Sequence, residues 1–200
     1  MNRLLSHRWA KPLVFALCLL PLSWLLSRVA QDQLGANPQE ALIRATGDWA
    51  LRFLVIVLAV TPLRELSGLS ALARYRRMLG LFMYFYALLH FLSYSGFDMG
   101  FDVADIVIDI VKRPFILVGS LALLLLTPLA ATSFNAAIRT LGAKRWQGLH
   151  RLVYAVAGLA ILHFFWMRAG KNDFAEVAVY AALLALLLGW RLRKLRLRPR

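Results

Sequence analysis

The sequence is poor in cysteine and in charged residues. Cys18 is the one cysteine among 200 residues. A single thiol excludes an internal disulfide, a four-cysteine iron–sulfur cluster and covalent CxxCH attachment of a haem. Charged residues make up 17% of the chain, against about a quarter in soluble domains, and hydrophobic residues make up 60%. Any redox cofactor is therefore expected to be held without a covalent bond, by histidine.

The sequence also lacks the short alternating pattern of a membrane β-barrel. Its apolar runs reach about twenty residues, enough to cross about 30 Å of hydrocarbon at about 1.5 Å per residue. These runs predict an all-α integral membrane protein, a six-helix transmembrane bundle that forms a single domain over residues 1–200. The predicted spans are 10–28, 47–64, 78–95, 114–131, 149–168 and 174–191.

Several span ends are marked by helix-breaking residues. The segment 35–38 (GANP) is expected to break the first connection, Pro62 to kink or end the second span, and Pro114 to stand in the first turn of the fourth. The basic N-terminus and the apolar run after it are similar to a signal peptide. No small-residue cleavage site follows and Arg28 stands where one would be, so we interpret this run as an uncleaved span.

Lysine and arginine are distributed unequally across this topology. Of the 24 basic residues, 17 lie on the side of both termini and 7 on the other side, whereas nine of the ten acidic residues lie on that other side. The positive-inside rule therefore places both termini in the cytoplasm of a multi-pass protein of the cytoplasmic membrane. The net charge of +14 is interpreted as a topology signal that contacts anionic lipid, not as a nucleic-acid-binding surface.

Three histidines lie in predicted spans, where a polar side chain costs free energy. His90 and His163 fall at about the same depth near the outer side, and His150 lies about 20 Å from His163 at the cytoplasmic side. Histidines on different helices at one depth can ligate a haem iron from opposite faces. The alternatives are hydrogen bonding between helices and a histidine-lined proton or ion pathway without haem.

The spacing within the fifth span raises a geometric question. Thirteen residues place His150 and His163 about 140° apart around an ideal helix. The fifth helix is therefore expected either to distort locally near Gly158 or to present its two histidines in different directions. Aromatic residues beside the histidines could pack a porphyrin: Phe82, Tyr84, Phe85, Tyr86, Phe91, Phe164, Phe165 and Trp166.

Four aspartates follow the third span at steps of four, three and four, which predicts four carboxylates on one helical face: Asp98, Asp102, Asp105 and Asp109. One interpretation is an interfacial amphipathic helix with its polar face in water. A compatible interpretation is that the acidic face docks a periplasmic partner and steers it electrostatically. A calcium loop is disfavoured because its ligands alternate along the chain.

Four segments in chain order resemble a known family: "RRMLGLFMYFYALLHFLSY", "KRPFILVG", "LTPLAATS" and "LGAKRWQGLHRLVYAVAGLAILHFFW". They are similar to the MsrQ (YedZ) family of ferric-reductase-like transmembrane domains, over about residues 8–190. The resemblance implies a bacterial inner-membrane protein that passes electrons through b haem to MsrP, a periplasmic molybdopterin subunit that reduces methionine sulfoxide in proteins. The implied donor is a cytoplasmic flavin reductase or membrane quinol, with FMN and quinone as further possible cofactors.

The resemblance also assigns ligands. All three family histidines are present, as His90, His150 and His163. Ferric reductases usually carry a further histidine about fourteen residues before the position of His90, where this chain has Arg76 and Arg77. The resemblance therefore implies either one haem or a second haem with an unusual ligand beside His150. No catalytic dyad or molybdenum ligand set is recognised, so we expect an electron-transfer subunit without catalytic residues of its own.

Haem propionates and a flavin phosphate are anions that need cations. Arg52 lies four residues after Asp48, a spacing that fits either a local ion pair or a propionate ligand. A second set of arginines is expected near His150, mostly as topology signals and lipid contacts. One or two of them could hold a phosphate or propionate: Arg74, Arg76, Arg77, Arg145 and Arg151.

Overall fold

The structure is a computed structural model that describes residues 1–170 and 172–196. The regular elements of this part of the chain are helices, with a 3₁₀ helix at Ser70–Tyr75. The α-helices are α1 Asn2–Ser6, α2 Ala10–Ala30, α3 Pro38–Ser67, α4 Arg76–Phe97, α5 Val103–Lys112, α6 Pro114–Ala131, α7 Asn135–Leu141, α8 Ala143–His150, α9 Val153–Ala169 and α10 Ala175–Arg196. Of the residues counted for the charge asymmetry, Lys171, Arg198 and Arg200 lie outside the described residues.

Five helical segments of the described chain are long and apolar enough to cross a membrane: Ala10–Ala30, Ser70–Phe97, Pro114–Ala131, Ala143–Ala169 and Ala175–Lys194. They coincide with five of the six predicted spans, so the all-α class is confirmed, and five of the predicted spans are confirmed as candidate membrane spans. The predicted second span lies inside α3, which is not among the five. Its uncharged stretch, 53–63, is bounded by Arg52 and Arg64, and membrane crossing by α3 stays a prediction.

The chain forms two compact units, Met1–Ile106 and Val107–Arg200. In the first unit α3 and α4 pack along each other, and α2 contacts both. In the second unit α6 packs against α9, and α10 also contacts α9. The single domain expected over 1–200 stays a prediction.

The helix starts follow the sequence signals closely. Pro38 and Pro114 are the first residues of α3 and α6, where a missing N–H costs nothing, and the Asn37 side chain accepts a hydrogen bond from the Glu40 N–H at 3.2 Å. Pro62, in contrast, does not end its helix, so of the two predicted alternatives only a kink stays a prediction. The helix continues to Ser67; membrane helices tolerate an internal proline where other groups satisfy the freed backbone.

The fifth predicted span is divided into α8 and α9 by a turn at Arg151 and Leu152. The N–H groups of both residues bond to carbonyls three residues earlier, at 3.2 and 3.0 Å, so the chain is wound there as a 3₁₀ turn. A 3₁₀ turn rotates the chain by about 120° per residue, against about 100° in an α-helix. Over about three residues this difference reduces the angle between His150 and His163 around the helix axis from about 140° to about 80°. A local distortion therefore exists, but not near Gly158, through which α9 runs without a break.

Tyr86 joins α4 to α2 through the backbone of α2. Its hydroxyl donates to the Cys18 carbonyl at 2.9 Å and accepts from the Leu22 N–H at 3.2 Å. These two backbone groups would bond to each other in an ideal helix, so the hydroxyl is inserted between them, next to Pro21. Tyr86 is only 1% exposed, and its ring stacks on Phe53 with a centroid distance of 5.2 Å.

We expect Tyr86→Phe to destabilise the protein by about 1–3 kcal/mol, because the Leu22 N–H and Cys18 carbonyl would lose their buried partner. Thermal unfolding in detergent measures this loss. Tyr84→Phe, a half-buried residue of the same helix, is the matched control and is expected to change stability by less. Equal unfolding temperatures for the two variants would show that the inserted hydroxyl contributes nothing.

The helix is interrupted after α4, where a continuous acidic helix was expected. Gly100 and Phe101 have φ angles of 55° and 61°, a left-handed conformation that a helix cannot continue through. The Phe101 N–H donates to the Ser95 carbonyl at 2.7 Å, and the Phe101 ring lies over Gly96. Asp98 and Asp102 are therefore outside any helix, and the prediction of four carboxylates on one helical face is wrong.

Two of the four aspartates have local structural roles. Asp102 precedes α5, and its Oδ1 accepts from the N–H groups of Ala104 and Asp105 at 2.8 and 3.0 Å, as a helix cap does. Asp109 pairs with Arg113, whose Nε lies 2.6 Å from Asp109 Oδ1. Asp98 and Asp105 are exposed and remain the candidates for a docking role.

Candidate functional site

His90 lies on α4 with its ring against α3. Its Nδ1 is 2.8 Å from the Ile43 carbonyl oxygen. Because a carbonyl oxygen only accepts, Nδ1 must carry the ring proton, and the lone pair of the neutral ring is then on Nε2. The hydroxyl of Thr46, a residue only 3% exposed, lies 2.9 Å from the same oxygen.

His163 has the same arrangement in the second unit. It lies on α9 with its ring against α6, and its Nδ1 is 2.6 Å from the Phe115 carbonyl oxygen. The lone pair of this ring is therefore also on Nε2. Histidines that bind metals through one nitrogen usually donate the other N–H to a carbonyl or carboxylate. The described contacts place His90 and His163 in that state.

A glycine faces each of these two rings. A Cβ at Gly47 would lie 3.0 Å from Cε1 and Nδ1 of His90, and a Cβ at Gly119 would lie 2.8 and 2.9 Å from Nδ1 and Cε1 of His163. The sequence reasoning missed both glycines. A signal was present, because glycine in a helix interior costs about 1 kcal/mol relative to alanine and so marks a close approach.

His150 differs from the other two histidines. Its Nε2 lies 3.2 Å from the Thr132 hydroxyl oxygen, and its ring packs against Trp146 at a centroid distance of 3.9 Å and an interplanar angle of 30°. The Trp146 indole N–H in turn donates to the Thr132 carbonyl at 2.9 Å. These contacts join the end of α6 to α8, so His150 has a structural role in addition to any ligand role.

The predicted anion-binding arginines are at exposed positions, except Arg52, which is half-buried. Arg52 lies 3.9 Å from Asp48 and 4.7 Å from the Trp49 ring centroid, so the local pair is observed and the propionate role stays a prediction. The first unit contains Arg74 just before α4 and Arg76 and Arg77 as the first two residues of α4. The second contains Arg145 on α8 and Arg151 directly after His150. Their clustering stays a prediction.

The aromatic residues divide into core and surface groups. Phe82 and Tyr86 are buried, and both stack on Phe53, so they fill the core of the first unit. Phe165 and Trp166 are 42% and 40% exposed. No group of three or more histidine, cysteine or acidic residues in the described chain could hold a bare metal ion.

Comparison with known proteins decides the family. Residues 46–161 match the ferric reductase like transmembrane component family. The chain is 72% identical over 187 residues to the protein-methionine-sulfoxide reductase heme-binding subunit MsrQ of Polaromonas naphthalenivorans (strain CJ2), covering 94% of this chain and 85% of that protein. The chain belongs to the MsrQ family.

Two further MsrQ relatives show similar coverage. The MsrQ protein of Ralstonia nicotianae is 54% identical, over 93% of this chain and 86% of its own length, and that of Bordetella pertussis is 52% identical, over 90% and 87%. No solved structure matches the chain. The segment matched to the ferric reductase family contains His90, His150 and both ring-facing glycines, and His163 lies two residues beyond it.

Proposed function

We propose that this MsrQ-family chain binds b haem in the bacterial inner membrane and passes electrons outward to a periplasmic methionine-sulfoxide reductase subunit. The family resemblance implies that this subunit is MsrP, which would reduce methionine sulfoxide in oxidised proteins. One observation carries the proposal: His90 and His163 each donate Nδ1–H to a backbone carbonyl. This bond fixes the tautomer and the ring orientation that an iron ligand needs.

We propose His90 and His163 as the two axial ligands of one haem near the outer face. His90 lies seven residues before the end of α4 and His163 six residues before the end of α9. Each is therefore about 10 Å from the outer end of its own helix, which supports a shared depth. Haem bound there would supply a one-electron iron couple, and the two imidazoles would hold it through their Nε2 lone pairs.

His150 is a weaker candidate for the same chemistry. Ligation through Nε2 requires that His150 exchange its Thr132 hydrogen bond for the iron. The position of a usual second ligand holds Arg76 and Arg77, and a guanidinium has no lone pair to offer. We therefore propose one bis-histidine haem per chain, and any second haem would have an atypical ligand.

Electrons are proposed to enter from a cytoplasmic flavin reductase or from membrane quinol. Arg77 and Arg151, both exposed and both at the cytoplasmic ends of their predicted spans, are proposed to hold the phosphate of FMN or a haem propionate. Arg52, in the middle of α3 and near the outer end of the predicted second span, is the proposed propionate ligand on the other side.

Transmembrane transfer is tested in sealed liposomes that contain the purified chain and an impermeant acceptor dye. We expect reductant added on the cytoplasmic side to reduce dye on the opposite side, and we expect His163→Ala to stop the transfer. Liposomes with His7→Ala, a variant in the exposed N-terminal segment, provide the control. Proton uptake without dye reduction would instead support the proton-pathway alternative.

We expect Asp98→Asn with Asp105→Asn to slow electron delivery to the periplasmic partner at low salt, because exposed carboxylates steer a basic partner over about 8–10 Å. Haem content and membrane insertion should not change, since neither residue has the cap or ion-pair role of Asp102 and Asp109. Delivery rates measured against salt concentration check this, with Glu40→Gln on α3 as the control. An unchanged low-salt rate in the double variant would contradict a docking role.

A further inference from the structure

The two units contain the same local arrangement around their histidines. In the first, the Ile43 carbonyl accepts from His90, and Gly47 faces the ring. In the second, the Phe115 carbonyl accepts from His163, and Gly119 faces the ring. In both cases the glycine follows the carbonyl residue by four positions on the helix opposite the histidine.

Helix geometry explains the spacing of four. The carbonyl of residue i is next to the N–H of residue i+4, and the Cα–Cβ bond of residue i+4 tilts toward the helix N-terminus. The Cβ of residue i+4 therefore stands beside the carbonyl of residue i. A ring that reaches this carbonyl from a neighbouring helix must occupy the place of that Cβ, and only glycine leaves the place open.

The distances show how little room remains. An alanine methyl at Gly119 would lie 2.8 Å from His163 Nδ1, and one at Gly47 would lie 3.0 Å from His90 Nδ1. Both distances are shorter than an ordinary carbon–nitrogen contact, so the ring would have to move away from its carbonyl. Such a movement would lengthen the hydrogen bond from Nδ1–H to the carbonyl oxygen and would change the direction of the lone pair on Nε2.

We propose that Gly47 and Gly119 are positioning residues, which set the depth and plane of the His90 and His163 rings for axial ligation of haem. This inference rests on the proposed haem function. The glycines contact the imidazoles and not the iron, so they act through the histidines. Outer-shell partners of metal ligands typically contribute 10- to 100-fold in affinity, and we expect losses of that order.

The haem test compares four alanine variants. Gly47→Ala and Gly119→Ala should each weaken haem binding about 10- to 100-fold and should change the EPR g-values of the ferric haem, which report the orientation of the ligand rings. Gly80→Ala on α4 and Gly158→Ala on α9 are matched controls, because nothing lies within 4 Å of a Cβ at either position. Haem affinity and g-values in these controls should match the wild-type protein.

A second test needs no haem and measures the coupling of Gly119 to His163. In the haem-free protein, Gly119→Ala should lower the unfolding temperature while His163 is present. In the His163→Ala background it should raise that temperature, because the obstructing ring is gone and alanine favours the helix. The same reversal is expected for Gly47→Ala with and without His90.

The outcomes separate the two proposals. A wild-type protein that binds no haem overturns the proposed function, and the reversal of unfolding temperature still tests the contact between glycine and histidine. Wild-type haem affinity and g-values in Gly47→Ala and Gly119→Ala overturn the positioning role while the haem function stands. Equal losses in Gly80→Ala and Gly158→Ala also overturn it, because the effect would then belong to any helical glycine.

Discussion

Replacing either His90 or His163 with alanine is expected to abolish the low-spin haem signal of the purified protein. Each ring supplies one axial ligand in the proposed site, and its Nδ1–H bond to Ile43 or Phe115 holds the lone pair on Nε2. Removing one ring leaves iron with a single imidazole, which converts it to the high-spin state or releases the haem. Absorption and EPR spectra of the oxidised protein measure this change.

The control for both variants is His7→Ala, since His7 lies in the exposed N-terminal segment and bonds the Trp9 N–H through Nδ1 at 3.3 Å. Its haem content and spectrum should equal those of the wild-type protein. Wild-type haem content in both His90→Ala and His163→Ala would disprove the ligand assignment. The contacts of the two histidines would then represent hydrogen bonding between helices.

We expect His150→Ala to keep the bis-histidine signal and to remove any second haem entirely. The reason is that no second histidine is expected to ligate the same iron as His150, because the position at which ferric reductases usually carry that histidine holds Arg76 and Arg77. A second haem at His150 would therefore show an atypical spin state or potential, and this signal alone should disappear in the variant. The pyridine haemochromogen assay, with EPR on the same samples, measures the number and type of haems per chain.

Thr132→Val is the companion variant, since it removes the hydroxyl that lies 3.2 Å from His150 Nε2. It should leave the bis-histidine signal unchanged and, if a second haem binds, increase its occupancy, because the competing hydrogen bond is lost. Two ordinary bis-histidine haems per chain would contradict this description, since only three histidines lie in the predicted spans.

The long elements could be predicted because their signals are local. Apolar runs of span length predicted five of the spans, and Pro114 predicted where α6 begins, whereas α3 begins at Pro38, before the predicted start of the second span at residue 47. The histidines were also visible, because polar side chains in an apolar run are costly. Membership of the MsrQ family followed from motifs that keep their order along the chain.

The contacts of the histidines could not be predicted from this sequence. Which face of a helix meets its neighbour is encoded by amphipathic periodicity in soluble proteins, but a helix in lipid is apolar on all sides. The carbonyls of Ile43 and Phe115 carry no side-chain signal at all. Gly47 and Gly119 were visible in principle, yet a glycine in an apolar run also fits simple helix packing.

The turn after α4 shows a different limit of local patterns. Aspartates at steps of four, three and four fit a helical face, and they fit a helix cap plus an ion pair equally well. Phe101 adopts a φ of 61° without being glycine, and no rule of composition predicts that. The turn at Arg151 and Leu152 has no proline or glycine either, so its sequence resembles uninterrupted helix.

The central claim is that this chain binds b haem through histidine, and the reduced-minus-oxidised absorption spectrum of the purified protein tests it most directly. We predict an intense Soret band that shifts on addition of dithionite, together with a sharp α band typical of a low-spin haem. One equivalent of bis-histidine haem should be found per chain. A colourless protein, prepared from cells supplied with haem precursor and correctly inserted in the membrane, would contradict the account.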